Sequence, residues 1–177
     1  MPSNLIAAVV LAAGASSRYG TSPPKQTVFL PRVLAALRAS CVDEIVVVEG
    51  AHALETRSVG VGVRVVECAE WERGPGASLR CGLAALDAEA AVVALADGPE
   101  LDPRAVDRVV AAWREGAGDV LAASWGGQRL HPVLLGRVVW LDVPDEGARG
   151  LEARLVPCDD LDPPGDIDTA DVDTRKG

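Results

Sequence analysis

The chain has 177 residues, of which 49% are hydrophobic and 24% are charged. A chain of this length buries about 70% of its unfolded surface in a single core, and the composition excludes collagen-like, disordered and disulfide-scaffold proteins. The 17 basic and 26 acidic residues give a net charge of −9, so the overall field repels nucleic acids and anionic membranes.

Apolar segments of strand length alternate along the chain with segments of helical periodicity. Strands that alternate with helices form a parallel sheet. We predict strands at residues 6–11, 44–48, 63–66, 91–95 and 120–124, and helices at residues 31–40, 77–87 and 103–115.

Local signals refine two of these elements. Asp102, Pro103 and Gly116 have the residue types of a helix cap, a first helical position and a helix end. Gly126 and Gly127 lie between two extended runs, which predicts a hairpin into an antiparallel strand at residues 130–135. The predicted fold is α/β: a single domain over residues 1–177, built as a Rossmann-like three-layer sandwich with a mostly parallel sheet and a local antiparallel strand.

The first apolar run ends in small residues, as the core of a signal peptide does, but no Lys or Arg precedes it. It is also too short to span a bilayer, so we predict a buried strand followed by a turn, in a cytoplasmic protein. Neither a zinc site nor a disulfide framework is indicated, because no two cysteines form a Cys-x-x-Cys pair. We therefore predict reduced, mostly buried thiols at Cys41, Cys68, Cys81 and Cys158.

In an open parallel sheet, ligands bind beyond the carboxyl ends of the strands. The loop after the first predicted strand has small residues that let backbone N–H groups approach a polyphosphate, and two basic residues that neutralise it. It has neither the Walker nor the dinucleotide-binding spacing, and as composition alone it fits a flexible loop equally well. Its candidate residues are Leu11, Ala12, Ala13, Gly14, Arg18 and Lys25.

The pattern Leu-Ala-Ala-Gly-x-x-x-Arg-x-Gly from Leu11, followed by Pro24-Lys25-Gln26, resembles the signature of the MobA-like nucleotidyltransferases. Within that family it is most similar to the molybdenum cofactor cytidylyltransferases. The resemblance extends over nearly the whole chain. The further matching segments are Gly74 with Ser78-Leu79 and Gly82-Leu83, Asp97-Gly98-Pro99, His131-Pro132-Val133, residues 145–149, and residues 166–169 with Asp171.

The resemblance implies transfer of a nucleoside monophosphate from a triphosphate to a phosphorylated acceptor such as the molybdopterin cofactor, with release of pyrophosphate. Asp97 and Asp168 would bind Mg²⁺, and Arg18 and Lys25 would be the catalytic cations. The nucleotide would contact residues 11–14, Arg18, Lys25, Gly74 and Ser78. CTP is favoured over GTP because the Cβ of Ala13 narrows the base pocket.

Transfer to a phosphate monoester needs no general base, because its second pKa is about 6. His131 is therefore predicted to be a structural or substrate-contacting residue rather than a proton shuttle. Ser78 is expected near the start of its helix, either as a cap or as a contact to the base. The partners expected are a nucleoside triphosphate and a small phosphorylated acceptor, with no nucleic acid or membrane, and the chain is expected to be a monomer.

The sequence departs from the family pattern in the short segment at residues 27–32, at Gly98 in place of Gln or Met, at Cys68 in place of Asn, and at Leu130 in place of Gly. Two alternatives stay open. One is a cytidylyltransferase acting on a sugar-like phosphate, as in isoprenoid synthesis. The other is a family member that serves as a molybdoenzyme maturation factor or an NAD(P)H-dependent oxidoreductase, in which the two aspartates would have no catalytic role.

Overall fold

The computed structural model describes residues 4–13, 25–50, 60–98 and 100–164, with the side chains of residues 25–28 outside the description. These residues form a seven-stranded sheet in the order β3-β2-β1-β4-β6-β5-β7. The strands are β1 Ile6–Leu11, β2 Glu44–Glu49, β3 Val63–Glu67, β4 Ala90–Leu95, β5 Val120–Trp125, β6 Gln128–Gly136 and β7 Arg154–Pro157.

The sheet is mostly parallel. β1 pairs in parallel with β2 and β4, β2 with β3, and β5 with β7. β6 runs antiparallel to both of its neighbours, β4 and β5. The predicted α/β class, with its local antiparallel strand, is confirmed.

Helices cover both faces of this sheet. They are α1 Lys25–Arg38, α2 Pro75–Ala84 and α3 Pro103–Arg114, with short 3-10 turns at Trp71–Arg73, Arg137–Asp142 and Gly147–Gly150. One apolar core lies between the sheet and the α1 and α3 face, and a second lies between the sheet and α2. The central strands are buried on both sides, which explains why they are continuous apolar runs rather than alternating ones.

Local chemistry sets several boundaries as predicted. Asp102 caps α3 by accepting a hydrogen bond from the Arg104 backbone N–H at 2.8 Å. Gly126 and Gly127 have φ values of 57° and 75°, the left-handed backbone that a two-residue hairpin requires at both positions. The turn places Trp125 opposite Gln128 and starts β6.

Helix α1 begins at Lys25, six residues before the predicted start at Pro31. A proline inside a helix removes one backbone hydrogen bond. Here Phe29 and Leu30 already belong to the buried face of the helix, which continues through Val33 and Leu34. Burial of that face therefore outweighs the local cost of the proline.

The prediction of reduced thiols is wrong for Cys68 and Cys81, which form a disulfide with a Cα–Cα distance of 5.9 Å. Cys68 follows β3 and Cys81 lies on α2, so their proximity depends on how that helix packs on the sheet. Cys41 and Cys158 are free.

One further difference concerns the edge of the sheet. Sequence reasoning did not predict β7, whose four residues are too few to show a period of their own.

None of the helices in the described ranges has the length and apolar character needed to cross a bilayer.

Candidate functional site

The carboxyl ends of three neighbouring strands meet at one edge of the sheet. Leu11, at the end of β1, lies opposite Leu95, at the end of β4. The chain continues past β1 with the Ala12 N–H donating to the Val48 carbonyl at 2.9 Å, while the Ala96 N–H donates to the Leu11 carbonyl at 3.1 Å. The first residues of the predicted triphosphate loop are thus fixed between β2 and β4.

Ala12 and Ala13 are both buried, and their side chains point to opposite faces of the sheet. Ala12 belongs to the core beneath α1 and α3, and Ala13 belongs to the core beneath α2. The Cβ of Ala13 is therefore on the same face as the second predicted nucleotide loop.

Asp97 is half-buried in the turn that follows β4. This turn is closed by the Gly98 N–H, which donates to the Leu95 carbonyl at 3.1 Å. The Asp97 carboxylate is close enough to His131 for its charge to raise the pKa of the imidazole. Asp97 and His131, 34 positions apart in the sequence, therefore belong to one site.

His131 lies on β6 and is neutral at physiological pH. Burial and, to a lesser degree, the Arg129 guanidinium lower its pKa to about 4, and these effects outweigh the opposing charge of Asp97. A neutral imidazole has one donor and one acceptor nitrogen. The side chain can bind a polar group without adding positive charge to the site.

The second predicted nucleotide loop packs directly on the backbone of residues 144–145. The Gly76 N–H donates to the Asp145 carbonyl at 2.9 Å, and a Cβ at Gly76 would overlap the Pro144 carbonyl oxygen. Gly74 precedes the helix with a φ of 123° and takes the cap position without a side-chain hydrogen bond. Glycines at both positions are required by this close approach.

Ser78 lies in the first turn of α2 and is 3% exposed. The helix begins at Pro75, two residues earlier than predicted, and Gly74 is its cap residue. A capping role for Ser78 is therefore wrong.

His131 lines two cavities at this edge of the sheet. One, of about 210 Å³, lies on the α2 face and extends from β1 to the 3-10 turn Gly147–Gly150. The other, of about 150 Å³, lies beside the Asp97 turn and is lined by Gly98, Leu101 and Leu130 among others. The lining of the first comprises Leu11, Pro75, Val93, Leu95, His131, Glu146, Gly147, Ala148 and Arg149.

Among the described residues, Asp97 is a carboxylate at this edge of the kind that binds a magnesium ion. Mg²⁺ typically takes one or two carboxylates and completes its shell with water and substrate phosphates, and Asp97 supplies a half-buried carboxylate at the ligand-binding edge. Within the described ranges, no three His, Cys, Asp or Glu side chains converge on one point. A magnesium ion held there would depend on Asp97 and on oxygen ligands from the substrate or from Asp168, which lies outside the described residues.

The structure thus brings together part of the predicted site. Leu11, Ala12, Ala13 and Asp97 lie at adjoining strand ends, and Gly74 precedes Pro75, which shares a cavity with Leu11. Gly14, Arg18 and Asp168 lie outside the described residues, as does the side chain of Lys25, the first residue of α1.

Sequence reasoning missed two arginines that shape the larger cavity, Arg80 on α2 and Arg129 on β6. Both donate to backbone carbonyls of residues 143–151. The only sequence signal was a single arginine within each element, and arginines are more often solvated than structural.

The model of the MobA-like NTP transferase domain matches residues 8–155 of the chain. The chain belongs to this family. The match confirms the resemblance based on the loop from Leu11 to Lys25, and it assigns this MobA-like protein to the nucleotidyltransferases.

Solved structures agree with this membership. Rv0371c from Mycobacterium tuberculosis H37Rv is similar with a TM-score of 0.78 and 28% identity over 95% of each chain. A complex of Rv0371C with manganese gives a TM-score of 0.68 and 26% identity, over 94% of this chain and 95% of that one. A nucleotidyl transferase from Methanothermobacter thermautotroptrophicus shares the fold, with a TM-score of 0.74 and 24% identity over 88% of each chain. No curated protein matches this MobA-like chain in sequence.

Proposed function

We propose that this protein is a magnesium-dependent cytidylyltransferase that moves CMP from CTP onto a phosphorylated acceptor of the molybdopterin cofactor type and releases pyrophosphate. The whole chain, residues 1–177, acts as one nucleotidyltransferase domain. The observation that carries the proposal is the adjacency of two strand ends: the start of the triphosphate loop at Leu11 is paired with Leu95, two residues before Asp97.

The cytidine of CTP binds over Ala13 and the loop from Gly74 to Ser78. Ala13 packs on the α2 face, so its Cβ reduces the room for a base on that side. Because Gly74 and Gly76 have no side chains, the loop backbone packs closely against the backbone of residues 144–145. A pyrimidine needs less width than a purine, which favours CTP over GTP.

The triphosphate binds along the loop that begins at Leu11, where backbone N–H groups and the cations Arg18 and Lys25 neutralise it. Asp97 and Asp168 would hold a magnesium ion at the strand end, and the ion would supply positive charge that offsets the negative charge of the phosphates. The manganese complex of the M. tuberculosis relative supports the use of a divalent metal.

The acceptor occupies the cavity of about 210 Å³ on the α2 face. Its walls are largely apolar, from Leu11, Val93 and Leu95, and suit a flat ring system, while Arg149 at the lining offers a positive charge to the acceptor phosphate. A phosphate monoester is ionised near pH 7 because its second pKa is about 6. The neutral His131 therefore orients the acceptor by a hydrogen bond and removes no proton.

The experiment is a transfer assay with purified protein, molybdopterin-type acceptor and each of CTP, GTP and ATP, with MgCl₂, with MnCl₂ and with EDTA. We expect pyrophosphate release and a CMP-linked product with CTP, and loss of both in EDTA. Product only with GTP would overturn the choice of nucleotide. Product formed with a sugar phosphate, and not with the pterin, would overturn the assignment of the acceptor.

Binding measured by calorimetry gives a second arm that needs no acceptor. We expect CTP to bind more tightly with Mg²⁺ than without it. Tight binding of NADPH together with no binding of any triphosphate would instead identify an oxidoreductase and overturn the proposal.

A further inference from the structure

The segment from Val143 to Leu151 forms one wall of the larger cavity and is held at both ends by arginines. At its beginning, Arg80 of α2 donates to the Val143 carbonyl at 2.7 Å and to the Asp145 carboxylate at 2.6 Å. At its end, Arg129 of β6 donates to the Ala148 carbonyl at 2.6 Å and to the Leu151 carbonyl at 2.7 Å. The wall is thus connected to two different elements of the fold.

Arg129 is an unusual residue for its place. It lies on β6 two positions before His131, close enough for its charge to lower the pKa of the imidazole. Its guanidinium is half-buried, and burial lowers its pKa. The guanidinium donates to neutral carbonyl oxygens, which do not offset the cost of burying a charge as fully as a carboxylate would.

The hydrogen bonds of Arg129 connect two parts of the cavity lining. On one side is β6, which contributes His131, and on the other is the 3-10 turn Gly147–Gly150, which contributes Gly147, Ala148 and Arg149. The turn also packs on α2: Ala148 is buried in the core on that side, and Gly147 lies against Pro75 and Gly76. Those contacts join the turn to α2, whereas the two hydrogen bonds of Arg129 join it to β6.

We propose that Arg129 is a positioning residue that fixes the turn Gly147–Gly150 against β6 and thereby sets the width of the acceptor cavity. The assignment of the cavity to the acceptor rests on the proposed function. Arg129 itself touches the wall and not the reacting atoms. Two charge-assisted bonds from one planar guanidinium fix both the position and the orientation of the turn.

The variants are Arg129→Met, which removes both donors and keeps the apolar stem, and Arg129→Lys, which keeps the charge but reaches only one carbonyl. Both should fold, because Arg80 and the Gly76 N–H still hold the start of the segment. The matched control is Arg154→Met. Arg154 also donates to a backbone carbonyl, that of Ala117 at 3.1 Å, but at the opposite edge of the sheet.

The first measurement is hydrogen–deuterium exchange of the amides of residues 147–151, which does not depend on any substrate. We expect exchange there to be at least about tenfold faster in Arg129→Met than in the wild type, as loss of charge-assisted bonds predicts. Arg129→Lys should be intermediate and Arg154→Met unchanged in this segment. Unchanged exchange in Arg129→Met would overturn the positioning role whatever the protein catalyses.

The second measurement is transfer kinetics with CTP and the acceptor. We expect the KM for the acceptor to rise about tenfold or more in Arg129→Met, with the CTP affinity changed by less than about twofold, because only the acceptor wall moves. Faster exchange with an unchanged acceptor KM would overturn the link between the wall and the acceptor. Absence of CMP transfer in the wild type would instead contradict the proposed function and leave the exchange result to decide the positioning role.

Discussion

Asp97 follows the buried strand β4, and its charge acts on His131 at the edge of the sheet. We propose that its carboxylate is a hard oxygen ligand for a magnesium–triphosphate complex. Its neighbour His131 is kept neutral by burial and by Arg129, so the two side chains do not neutralise each other. The imidazole therefore places no positive charge beside the predicted metal ligand Asp97.

Replacing Asp97 by Asn tests this role directly. The amide is nearly isosteric but lacks the charge, so we expect kcat for CMP transfer to fall at least about 100-fold, as for other losses of electrostatic stabilisation in a site. The measurement is steady-state pyrophosphate release at saturating CTP and several Mg²⁺ concentrations. Asp87→Asn is the control, because Asp87 is exposed and pairs with Arg137 at 3.0 Å away from the site. Wild-type kcat in Asp97→Asn would exclude the metal assignment.

At the scale of elements, the disulfide between Cys68 and Cys81 joins the end of β3 to α2 and spans the second predicted nucleotide loop. Gly74 and the 3-10 turn Trp71–Arg73 lie within the closed loop. A cross-link of this kind stabilises a fold mainly by reducing the freedom of the unfolded chain. The same loop also packs on residues 144–145, so it is held from two sides.

Breaking this disulfide should cost about 3 kcal/mol of unfolding free energy, the value for a loop of roughly 15 residues. We expect urea denaturation of the wild type to shift to lower urea on addition of reductant. The double variant Cys68→Ser/Cys81→Ser, already lacking the bond, should not respond to reductant. Alkylation of the unreduced, denatured protein should label Cys41 and Cys158 alone, and labelling of all four cysteines would contradict the bond.

A second connection between elements joins α3 to the segment after β7. Arg108 donates to the Asp160 carboxylate at 2.6 and 3.0 Å and to the Pro157 carbonyl at 3.1 Å. This hydrogen bonding lowers the pKa of Asp160 to about 2. Because both side chains are partly solvated, the pair contributes little to stability under ordinary conditions.

The pH dependence of this pair has a definite sign. The folded protein holds Asp160 ionised to a lower pH than the unfolded chain does, so its contribution is complete above the unfolded pKa of about 3.9 and is lost as the pH falls towards 2. We therefore expect Asp160→Asn to be slightly less stable than the wild type at pH 5 and equally stable near pH 2. Urea denaturation between pH 2 and 5 measures the difference. A difference that grows as the pH falls would contradict the pairing.

At the scale of the whole molecule, the described residues form two cores separated by one sheet. Leu34 of α1 belongs to one core and Leu83 of α2 to the other, and both are buried. The strands β1 and β4 contribute to both cores through alternate side chains. A disturbance on either face should therefore destabilise the same cooperative unit.

We expect Leu34→Ala and Leu83→Ala each to lower the unfolding free energy by about 2–5 kcal/mol, the cost of a large-to-small change in a core. Because the sheet separates the two sites, the double variant should equal their sum within about 0.5 kcal/mol. Circular dichroism and tryptophan fluorescence should follow one common urea transition. Two separate transitions would show that the chain does not unfold as the single domain predicted for residues 1–177.

Local sequence patterns predicted the central strands, the hairpin and the family of this protein. The continuous apolar runs predicted the central strands because strands buried on both faces need no alternation, and Gly126-Gly127 predicted the hairpin because few other residues adopt its backbone. The loop from Leu11 to Lys25 and the aspartate after β4 predicted the family, which the family match confirmed. Each of these features depends on residues that are close together in the sequence, so it can be predicted from the sequence alone.

Only the tertiary structure decided which distant residues meet. Three contacts join separate elements of the fold. They are the Cys68–Cys81 disulfide, the close approach of Gly76 to Pro144, and the hydrogen bonds from Arg129 to the carbonyls of Ala148 and Leu151. Such contacts depend on how helices and turns pack on the sheet, and no local propensity encodes them. The loop at Leu11 and the carboxylate of Asp97 could be picked out by residue type alone, whereas the shape of the cavity beside them required the fold.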